Sequence, residues 1–313
     1  MNRSAVSSAL RRFAHRAMTR ARRSPPQQQS GTFGPEGISR VLVINLDRQD
    51  ARWRDVQAEL RSIRGADGRS LIELTTRISA VDARYLTGPA PSSVDTTYSL
   101  ADQLFVDPQP VPFTDPDAKA LTIAMSRPEV AVALSHIRAW ELVARGDVQH
   151  TLVLEDDVFF RRRFTSALDD AWSDIEALGL SFDVLFAGYG EALAGAEWSP
   201  VSGALRSPRR GIWQLSGYVL SRSGAETLLG RLPVRGPVDL WINHLFDDLE
   251  VLALYRSAVD QRPDLASGNA YSVLPVLSKV GLVTSERAPT IEPPESIGPL
   301  VVFGAPGSGV QDS

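Results

Sequence analysis

The chain has 313 residues, 43% of them hydrophobic, with no cysteine and a formal net charge of −4 at pH 7. This length allows one large or two modest domains with a well-buried core. The lack of cysteine excludes disulfides, thiol catalysis and every cysteine-ligated zinc or iron–sulfur site. The longest apolar runs, such as residues 41–46 and 151–154, are much shorter than the roughly 18 residues of a membrane-spanning helix.

Charge is distributed unevenly along the chain. Residues 1–23 contain seven arginines and no acidic residue, which leaves 26 basic and 37 acidic side chains, a net charge of −11, for the remaining 290 residues. An acidic body argues against general nucleic-acid binding, because neutralising phosphates needs clustered positive charge. The basic segment is open to three interpretations: a disordered tail, an amphipathic helix on an anionic membrane surface, or an organellar transit peptide.

The composition divides the chain into three predicted parts. Residues 1–38 are expected to form a basic tail and then a linker, because 24–38 is rich in proline, glycine and glutamine. The catalytic domain is expected over 39–290, with folded structure from about Arg40. A flexible C-terminal tail is expected over 291–313.

Strand and helix signals alternate within the predicted domain, which is typical of an α/β fold with a mainly parallel central sheet and helices on both faces. In such sheets ligands bind beyond the carboxyl ends of the strands. In chain order, the patterns predict a strand at 41–46, a helix at 50–61, a strand at 71–80, an irregular excursion at 87–120, a helix from a capping box at 126–129 to Gly146, a strand at 151–154, a helix at 165–178, strands at 182–187 and 217–220, and helices at 225–231 and 240–249.

Three consecutive carboxylates, Glu155, Asp156 and Asp157, follow the apolar run at 151–154. Clustered carboxylates repel one another unless a cation or hydrogen-bond donors compensate. Hard divalent ions such as Mg²⁺ or Mn²⁺ take such oxygens together with substrate phosphates. Strand alternation would point Glu155 and Asp157 one way and Asp156 the other. The alternative is a solvated acidic turn.

Two other phosphate chemistries do not match this cluster. An aspartyl phosphatase needs Asp-x-Asp-x-Thr after the strand, whereas this chain has Glu155 at the first position of that pattern and Phe159 at the last. Neither of the two glycine-rich phosphate-binding motifs, Gly-x-Gly-x-x-Gly and Gly-x4-Gly-Lys-Ser/Thr, occurs after a strand. Phosphate recognition is therefore expected to come from a metal or from scattered donors.

Seven short motifs are spread along the predicted domain: residues 43–48 (Val-Ile-Asn-Leu-Asp-Arg), 80–83 (Ala-Val-Asp-Ala), 129–136 (Glu-Val-Ala-Val-Ala-Leu-Ser-His) with Trp140, 152–158 (Leu-Val-Leu-Glu-Asp-Asp-Val), 182–185 (Phe-Asp-Val-Leu), 217–225 (Gly-Tyr-Val-Leu-Ser-Arg-Ser-Gly-Ala) and 237–239 (Pro-Val-Asp). Their order and spacing resemble glycosyltransferase family 25, which includes bacterial lipooligosaccharide galactosyltransferases and the collagen galactosyltransferase. The resemblance covers about residues 40–285. The chain departs from the family at Pro128, Ala131 and Val132, where two glycines and a cysteine are usual, and at Lys279, where a neutral polar residue is common.

The resemblance implies a GT-A-like fold and an inverting transfer of a sugar, usually galactose, from a UDP-sugar to an acceptor hydroxyl. Mn²⁺ or Mg²⁺ held by Glu155 and Asp157 would neutralise the charge that develops on the leaving diphosphate. Inversion in one step also needs a general base on the acceptor. The leading candidate is Asp239, and Asp156 and His136 are the alternatives. Asp239 could instead cap the helix that follows it, and His136 could be structural.

Nucleotide contacts are expected just after the first two strands. Asn45, Asp47 and Arg48 follow the first strand, and Asp82, a candidate ribose or uracil contact, follows the second. The alternative is a turn in which Asn and Asp bond local backbone groups. Trp140, Trp213 and Trp241 could stack on a sugar, although core packing is the better interpretation for each.

The sequence thus predicts transfer of a sugar to a cell-envelope glycan, glycolipid or glycoprotein, as in lipopolysaccharide biosynthesis. The expected location is cytoplasmic, with peripheral contact at the inner face of the membrane through residues 1–23. One alternative is an inactive or metal-independent protein that binds sugar nucleotides on the same fold. Another is a membrane-scaffolding protein that works through its basic segment.

Overall fold

The computed structural model describes residues 27–108, 113, 115–192, 195–262 and 272–282. The predictions for the tails at 1–23 and 291–313 lie outside these ranges. The α-helices are α1 Asp50–Arg61, α2 Leu100–Val106, α3 Pro116–Lys119, α4 Arg127–Ala144, α5 Phe164–Leu178, α6 Arg222–Gly230, α7 Val238–Asn243 and α8 Leu274–Lys279. The strands are β1 Gln28–Gln29, β2 Ile38–Asn45, β3 Ile63–Arg64, β4 Thr75–Ser79, β5 Val94–Asp95, β6 Thr97–Ser99, β7 Thr122–Ala124, β8 His150–Glu155, β9 Val158–Phe160, β10 Val184–Glu191, β11 Glu197–Pro200, β12 Leu205–Arg210, β13 Ile212–Ser221, β14 Val234–Arg235, β15 Val251–Leu254 and β16 Val259–Gln261.

Local sequence signals account for most of these elements. The predicted capping box begins α4: the Ser126 N–H donates to the Glu129 carboxylate at 2.7 Å, and the Glu129 N–H donates to the Ser126 hydroxyl at 3.4 Å.

Three elements differ in their bounds from the sequence-based predictions. A 3₁₀ helix, Leu71–Leu74, replaces the first part of the strand predicted at 71–80, α7 is shorter than the helix predicted at 240–249, and the excursion at 87–120 contains α2, α3 and short strands.

An eight-stranded mixed sheet, in the order β11-β12-β15-β10-β13-β8-β2-β4, forms the centre of the molecule. The prediction of a mainly parallel sheet is confirmed for only part of the sheet. β2 is parallel to β4 and β8, and β10 is parallel to β15, whereas β13 is antiparallel to both of its neighbours. A parallel neighbour needs a long crossover, usually a helix, but the chain between β10 and β13 contains the β11–β12 hairpin instead.

Helices cover both faces of the sheet, as predicted. One apolar cluster joins the sheet to α4, α6 and α7, and includes Trp140 and Tyr218. A second cluster joins the opposite face to α1 and α5. Successive residues of β8 alternate between the two clusters: Val153 belongs to the first, and Leu152 and Leu154 to the second. Each face of the strand therefore contributes to a separate core.

Residues 27–38 belong to the fold, so the prediction of a linker up to residue 38 was wrong. Phe33 is fully buried, and β1 pairs with β3. The hydroxyls of Ser30 and Thr32 donate to the Asp169 carboxylate on α5, at 2.6 and 2.7 Å. A composition rich in proline and glycine gave no sign of these contacts. No helix within the described residues is long and apolar enough to cross a membrane.

Candidate active site

Two neighbouring cavities lie where the parallel strands β2, β4 and β8 end. The first, of about 510 Å³, is lined by Asp239 and Trp213 among others, and we call it the Asp239 cavity. The second, of about 420 Å³, is lined by Arg48 and Asp82 among others, and we call it the Asp82 cavity. Both cavities are lined by the same central set of side chains: Val132, His136, Glu155, Asp157 and Gln261.

Glu155 is the last residue of β8 and borders both cavities. Its Oε2 accepts a hydrogen bond from Gln261 Nε2 at 3.1 Å, and its Oε1 lies 3.6 Å from His136 Nε2. Burial disfavours the charge of this carboxylate, but the interactions with His136 and Gln261 outweigh that effect and lower the pKa of Glu155. Glu155 is therefore an anion at neutral pH.

Asp156 lies in the turn just after β8 and contacts a different set of partners. It is 7% exposed and accepts hydrogen bonds from Asn45 Nδ2 at 2.5 Å and from Arg52 Nη1 at 3.1 Å. These bonds tie the end of β8 to the end of β2 and to α1. They give Asp156 and Asn45 a structural role, which argues against Asp156 as the general base.

Asp157 is the carboxylate of the cluster whose negative charge is least compensated by its neighbours. Its Oδ1 is buried and has no hydrogen-bond partner within the described residues, and its Oδ2 lies 3.9 Å from Arg52 Nη1. Burial, together with the charges of Glu155 and Asp156, raises the pKa of Asp157 well above its usual value. A bound cation would relieve both the missing partner and the repulsion between the carboxylates.

The donor set fits a hard divalent ion that shares its coordination with a substrate. No group of three or more His, Asp or Glu side chains is already placed to hold a metal in the described part of the chain. Mg²⁺ binds through one or two carboxylates plus phosphate oxygens and water, rather than in a cage made only of protein ligands. Glu155 and Asp157 meet that requirement.

Asp239 lies in the first turn of α7 and lines the Asp239 cavity. Pro237, not Asp239, is the N-cap of this helix, so the capping alternative does not describe its position. The Asp239 carboxylate accepts from the Gln214 N–H at 3.4 Å. Burial raises the pKa of Asp239 to about 6. The group is therefore ionised at neutral pH and can accept a proton.

Two residues that position Asp239 carried no sequence signal. Gln214 has φ +74°, in the left-handed region that disfavours side chains, and its strained backbone directs the N–H at Asp239. Asn243 is 2% exposed and hydrogen-bonds the backbone of Gly211, Ile212 and Asp239 at 2.7 to 3.2 Å. It therefore joins α7 to the start of β13.

His136, an alternative candidate for the general base, is almost completely buried. It is 1% exposed, and its Nδ1 lies 3.0 Å from the hydroxyl of Tyr218. Tyr218 also accepts a hydrogen bond from Trp140 Nε1 at 2.9 Å. Trp140 and Trp241 are buried and stack on each other, so core packing was the right interpretation for both. Trp213 is half-buried and lines the Asp239 cavity.

The four predicted nucleotide contacts separate into two groups. Arg48 and Asp82 line the Asp82 cavity and form an ion pair at 2.8 Å, which Arg84 extends from the other side of Asp82 at 2.7 Å. These contacts, led by the Arg84 hydrogen bond, hold the pKa of Asp82 well below its usual range. Asn45 instead bonds Asp156, and Asp47 lies outside the lining of both cavities and accepts from the Ser79 hydroxyl at 2.9 Å.

The residues that depart from the family pattern also have definite places. Pro128, Ala131 and Val132 all lie along α4 and line the Asp82 cavity. Lys279 is the last residue of α8, a helix whose Leu274 and Leu277 line the Asp239 cavity. The departures at 128, 131 and 132 therefore change the wall of a cavity beside the carboxylate cluster.

Comparison with known proteins gives consistent family matches. Residues 38–187 match the family model described as Glycosyltransferase family 25 (LPS biosynthesis protein). The chain is 31% identical to the probable inactive glycosyltransferase 25 family member 3 of Bos taurus, over 71% of this chain and 33% of that protein. It is 25% identical to procollagen galactosyltransferase 2 of Homo sapiens, over 77% of this chain and 35% of that protein.

The chain spans about a third of the length of these relatives. Among solved structures, the inositol-1-phosphate CTP transferase from T. maritima matches with 12% identity and a TM-score of 0.34, covering 78% of this chain and 97% of that one. A match at that level carries no argument about function. The motif order, the match over 38–187 and the relatives together identify the chain as a member of glycosyltransferase family 25.

Proposed function

We propose that the protein transfers a sugar, with galactose as the expected one, from a UDP-sugar to a hydroxyl of a glycan, glycolipid or glycoprotein. The transfer inverts the anomeric centre and uses Mn²⁺ or Mg²⁺. The observation that carries the proposal is the unpartnered, buried Oδ1 of Asp157 beside the ionised Glu155, at the junction of two cavities. A GT-A-like arrangement, in which donor and acceptor meet at the carboxyl ends of strands, fits this geometry.

The Asp82 cavity suits the nucleotide of the donor. Arg48, Arg52 and Arg84 all line it and can bond phosphate oxygens, while Asp82 can accept from a ribose hydroxyl. A divalent ion held by Glu155 and Asp157 would stabilise the negative charge that develops on the leaving diphosphate. The arginines and the carboxylates thus converge on the part of the donor where the bond breaks.

The Asp239 cavity suits the acceptor. Asp239 provides an oxygen that can take the proton of the attacking hydroxyl, because its pKa of about 6 leaves it ionised at neutral pH. The half-buried Trp213 lines the same cavity and offers an aromatic face for a sugar ring. With donor and base in different cavities on either side of the carboxylates, attack from the side opposite the diphosphate requires no covalent intermediate.

A second candidate function is a protein that binds sugar nucleotides without turnover. Two human and bovine relatives, at 34% and 31% identity, have names that call them inactive or probable inactive. Pro128, Ala131 and Val132 alter the wall of the Asp82 cavity. In this second candidate function the protein binds the nucleotide, and Asp239 takes no proton because no transfer occurs.

A screen of UDP-sugars for Mn²⁺-dependent hydrolysis without acceptor separates the two candidates. We expect one UDP-sugar to be hydrolysed by the wild-type protein and not by Asp157→Asn. The matched control is Asp147→Asn, at an exposed aspartate outside both cavities, which should behave as wild type. Hydrolysis that is equal in Asp157→Asn and wild type would contradict the proposed site, and binding without any hydrolysis or transfer would support the second candidate.

A further inference from the structure

Four side chains form a line from the buried core to the carboxylate cluster. Trp140 Nε1 donates to the Tyr218 hydroxyl at 2.9 Å, that hydroxyl lies 3.0 Å from His136 Nδ1, and His136 Nε2 lies 3.6 Å from Glu155 Oε1. Trp140 and Tyr218 are fully buried and His136 is 1% exposed. We call this line the Tyr218 relay.

The protons of the relay can be counted. The indole nitrogen of Trp140 only donates, so the oxygen of Tyr218 is the acceptor in that bond. The hydroxyl of Tyr218 has one proton, and within the described residues the acceptor next to it is Nδ1 of His136. Burial raises the pKa of Tyr218 far above its usual value, so the proton stays on the oxygen at neutral pH. Nδ1 is therefore an acceptor.

A neutral imidazole that accepts at Nδ1 carries its proton on Nε2. Nε2 has no hydrogen-bond partner within the described residues, and the atom it faces, at 3.6 Å, is Oε1 of Glu155. In the other tautomer a nitrogen lone pair would face the carboxylate and repel it. Tyr218 thus decides whether His136 attracts or repels Glu155.

We propose that Tyr218 is a positioning residue that holds His136 as the Nε2–H tautomer, so that His136 orients the Glu155 carboxylate from one side while Gln261 bonds it from the other. Its consequence for metal binding rests on the proposed function, because Glu155 is there a metal ligand. Tyr218 itself is fully buried and lines neither cavity. It acts through His136, in the way that outer groups orient metal-binding side chains.

The tautomer can be measured without any activity. The ¹⁵N resonances of histidine-labelled wild-type protein, recorded at alkaline pH, should show His136 with a protonated Nε2 and a bare Nδ1. The chain has four histidines, and His136→Gln identifies the resonance by its loss. Tyr218→Phe should give a mixture of tautomers. A wild-type ring protonated at Nδ1 would overturn the proposal, whether or not the protein proves to be a transferase.

A double-mutant cycle on Mn²⁺ affinity, measured by calorimetry, tests the consequence for the metal. Tyr218→Phe should weaken Mn²⁺ binding about tenfold, the effect of losing one hydrogen-bonded orientation of a charged group. In the His136→Gln background the amide N–H can face Glu155 without fixing a tautomer, so adding Tyr218→Phe should cost less than about twofold. Equal losses in both backgrounds would show that Tyr218 acts only through packing and would overturn the proposal. If wild type binds no Mn²⁺, the proposed function fails while the ¹⁵N result stands.

Discussion

Asp239 should determine how transfer depends on pH. Burial raises its pKa from 3.8 to about 6, so the base form makes up about nine tenths of the protein at pH 7 and roughly one tenth near pH 5. We therefore expect kcat/KM for transfer to be about tenfold lower near pH 5 than on the plateau. Asp239→Asn should lower kcat by about 10² to 10⁴, because the amide cannot take the acceptor proton.

Ionisation of Asp239, which favours transfer, should lower the stability of the folded protein. An acid whose pKa is raised in the folded state destabilises the protein as the pH rises through that pKa, because the folded state must give up a proton that it holds more tightly than the unfolded chain does. A rise of about two units from 3.8 to about 6 corresponds to about 3 kcal/mol. Asp239→Asn should therefore leave the free energy of unfolding unchanged or raise it by up to about 3 kcal/mol at neutral pH.

The assay is initial-rate transfer to a soluble acceptor between about pH 4.5 and 8, with urea unfolding of each variant in parallel. Asp147→Asn is the matched control and should change neither readout, because Asp147 is exposed and lies outside both cavities. A rate that stays on its plateau down to about pH 5, or an Asp239→Asn variant with wild-type turnover, would refute the role of Asp239 as base. Lost activity together with lost stability would refute the burial argument.

Three further predictions concern neighbouring residues. Asp157→Asn should stabilise the metal-free protein at neutral pH by about 1 to 2 kcal/mol, or a few degrees in Tm, with a smaller gain in acid where the raised pKa already keeps Asp157 protonated; thermal scans at both pH values measure it, and no gain would contradict the repulsion. Asn243→Ala should lower the free energy of unfolding by about 3 kcal/mol and also lower kcat, because buried backbone groups of β13 and α7 lose their hydrogen-bond partner. Unchanged urea unfolding and kcat would show that Asn243 does not hold α7 against β13. Gln214→Gly should keep activity and stability, since glycine accepts φ +74° freely, whereas Gln214→Val should lose about 1 to 3 kcal/mol; equal unfolding curves would show that no strain is stored there.

The sequence predicted well those features that arise from local chemistry. Ser126 and Glu129 identify the start of α4, because a capping box depends only on residues three positions apart. Strand alternation predicted different directions for Glu155 and Asp156, and the two side chains do bond different partners, although Asp156 lies in the turn just after β8. The rule that ligands bind beyond the carboxyl ends of strands also predicted a site at the end of β8, where the two cavities lie.

Features that depend on contacts between residues far apart in the chain could not be predicted from the sequence. The direction of β13 depends on the connection that precedes it, and an apolar run does not show its direction. Residues 27–38 looked like a linker because Phe33 and the Asp169 bonds of Ser30 and Thr32 are long-range. The strained backbone of Gln214 had no signal either, since a positive φ is expected at glycine and rarely at glutamine.

Calorimetry of UDP binding with and without Mn²⁺, in wild type and in Asp157→Asn, tests the central claim most directly. Glu155 and Asp157 leave coordination positions for phosphate oxygens, so Mn²⁺ should strengthen UDP binding to wild type by at least about tenfold, or 1.4 kcal/mol. The metal should have little effect on UDP binding to Asp157→Asn. UDP affinity that is the same with and without Mn²⁺ in the wild-type protein would contradict the metal role of the carboxylate cluster.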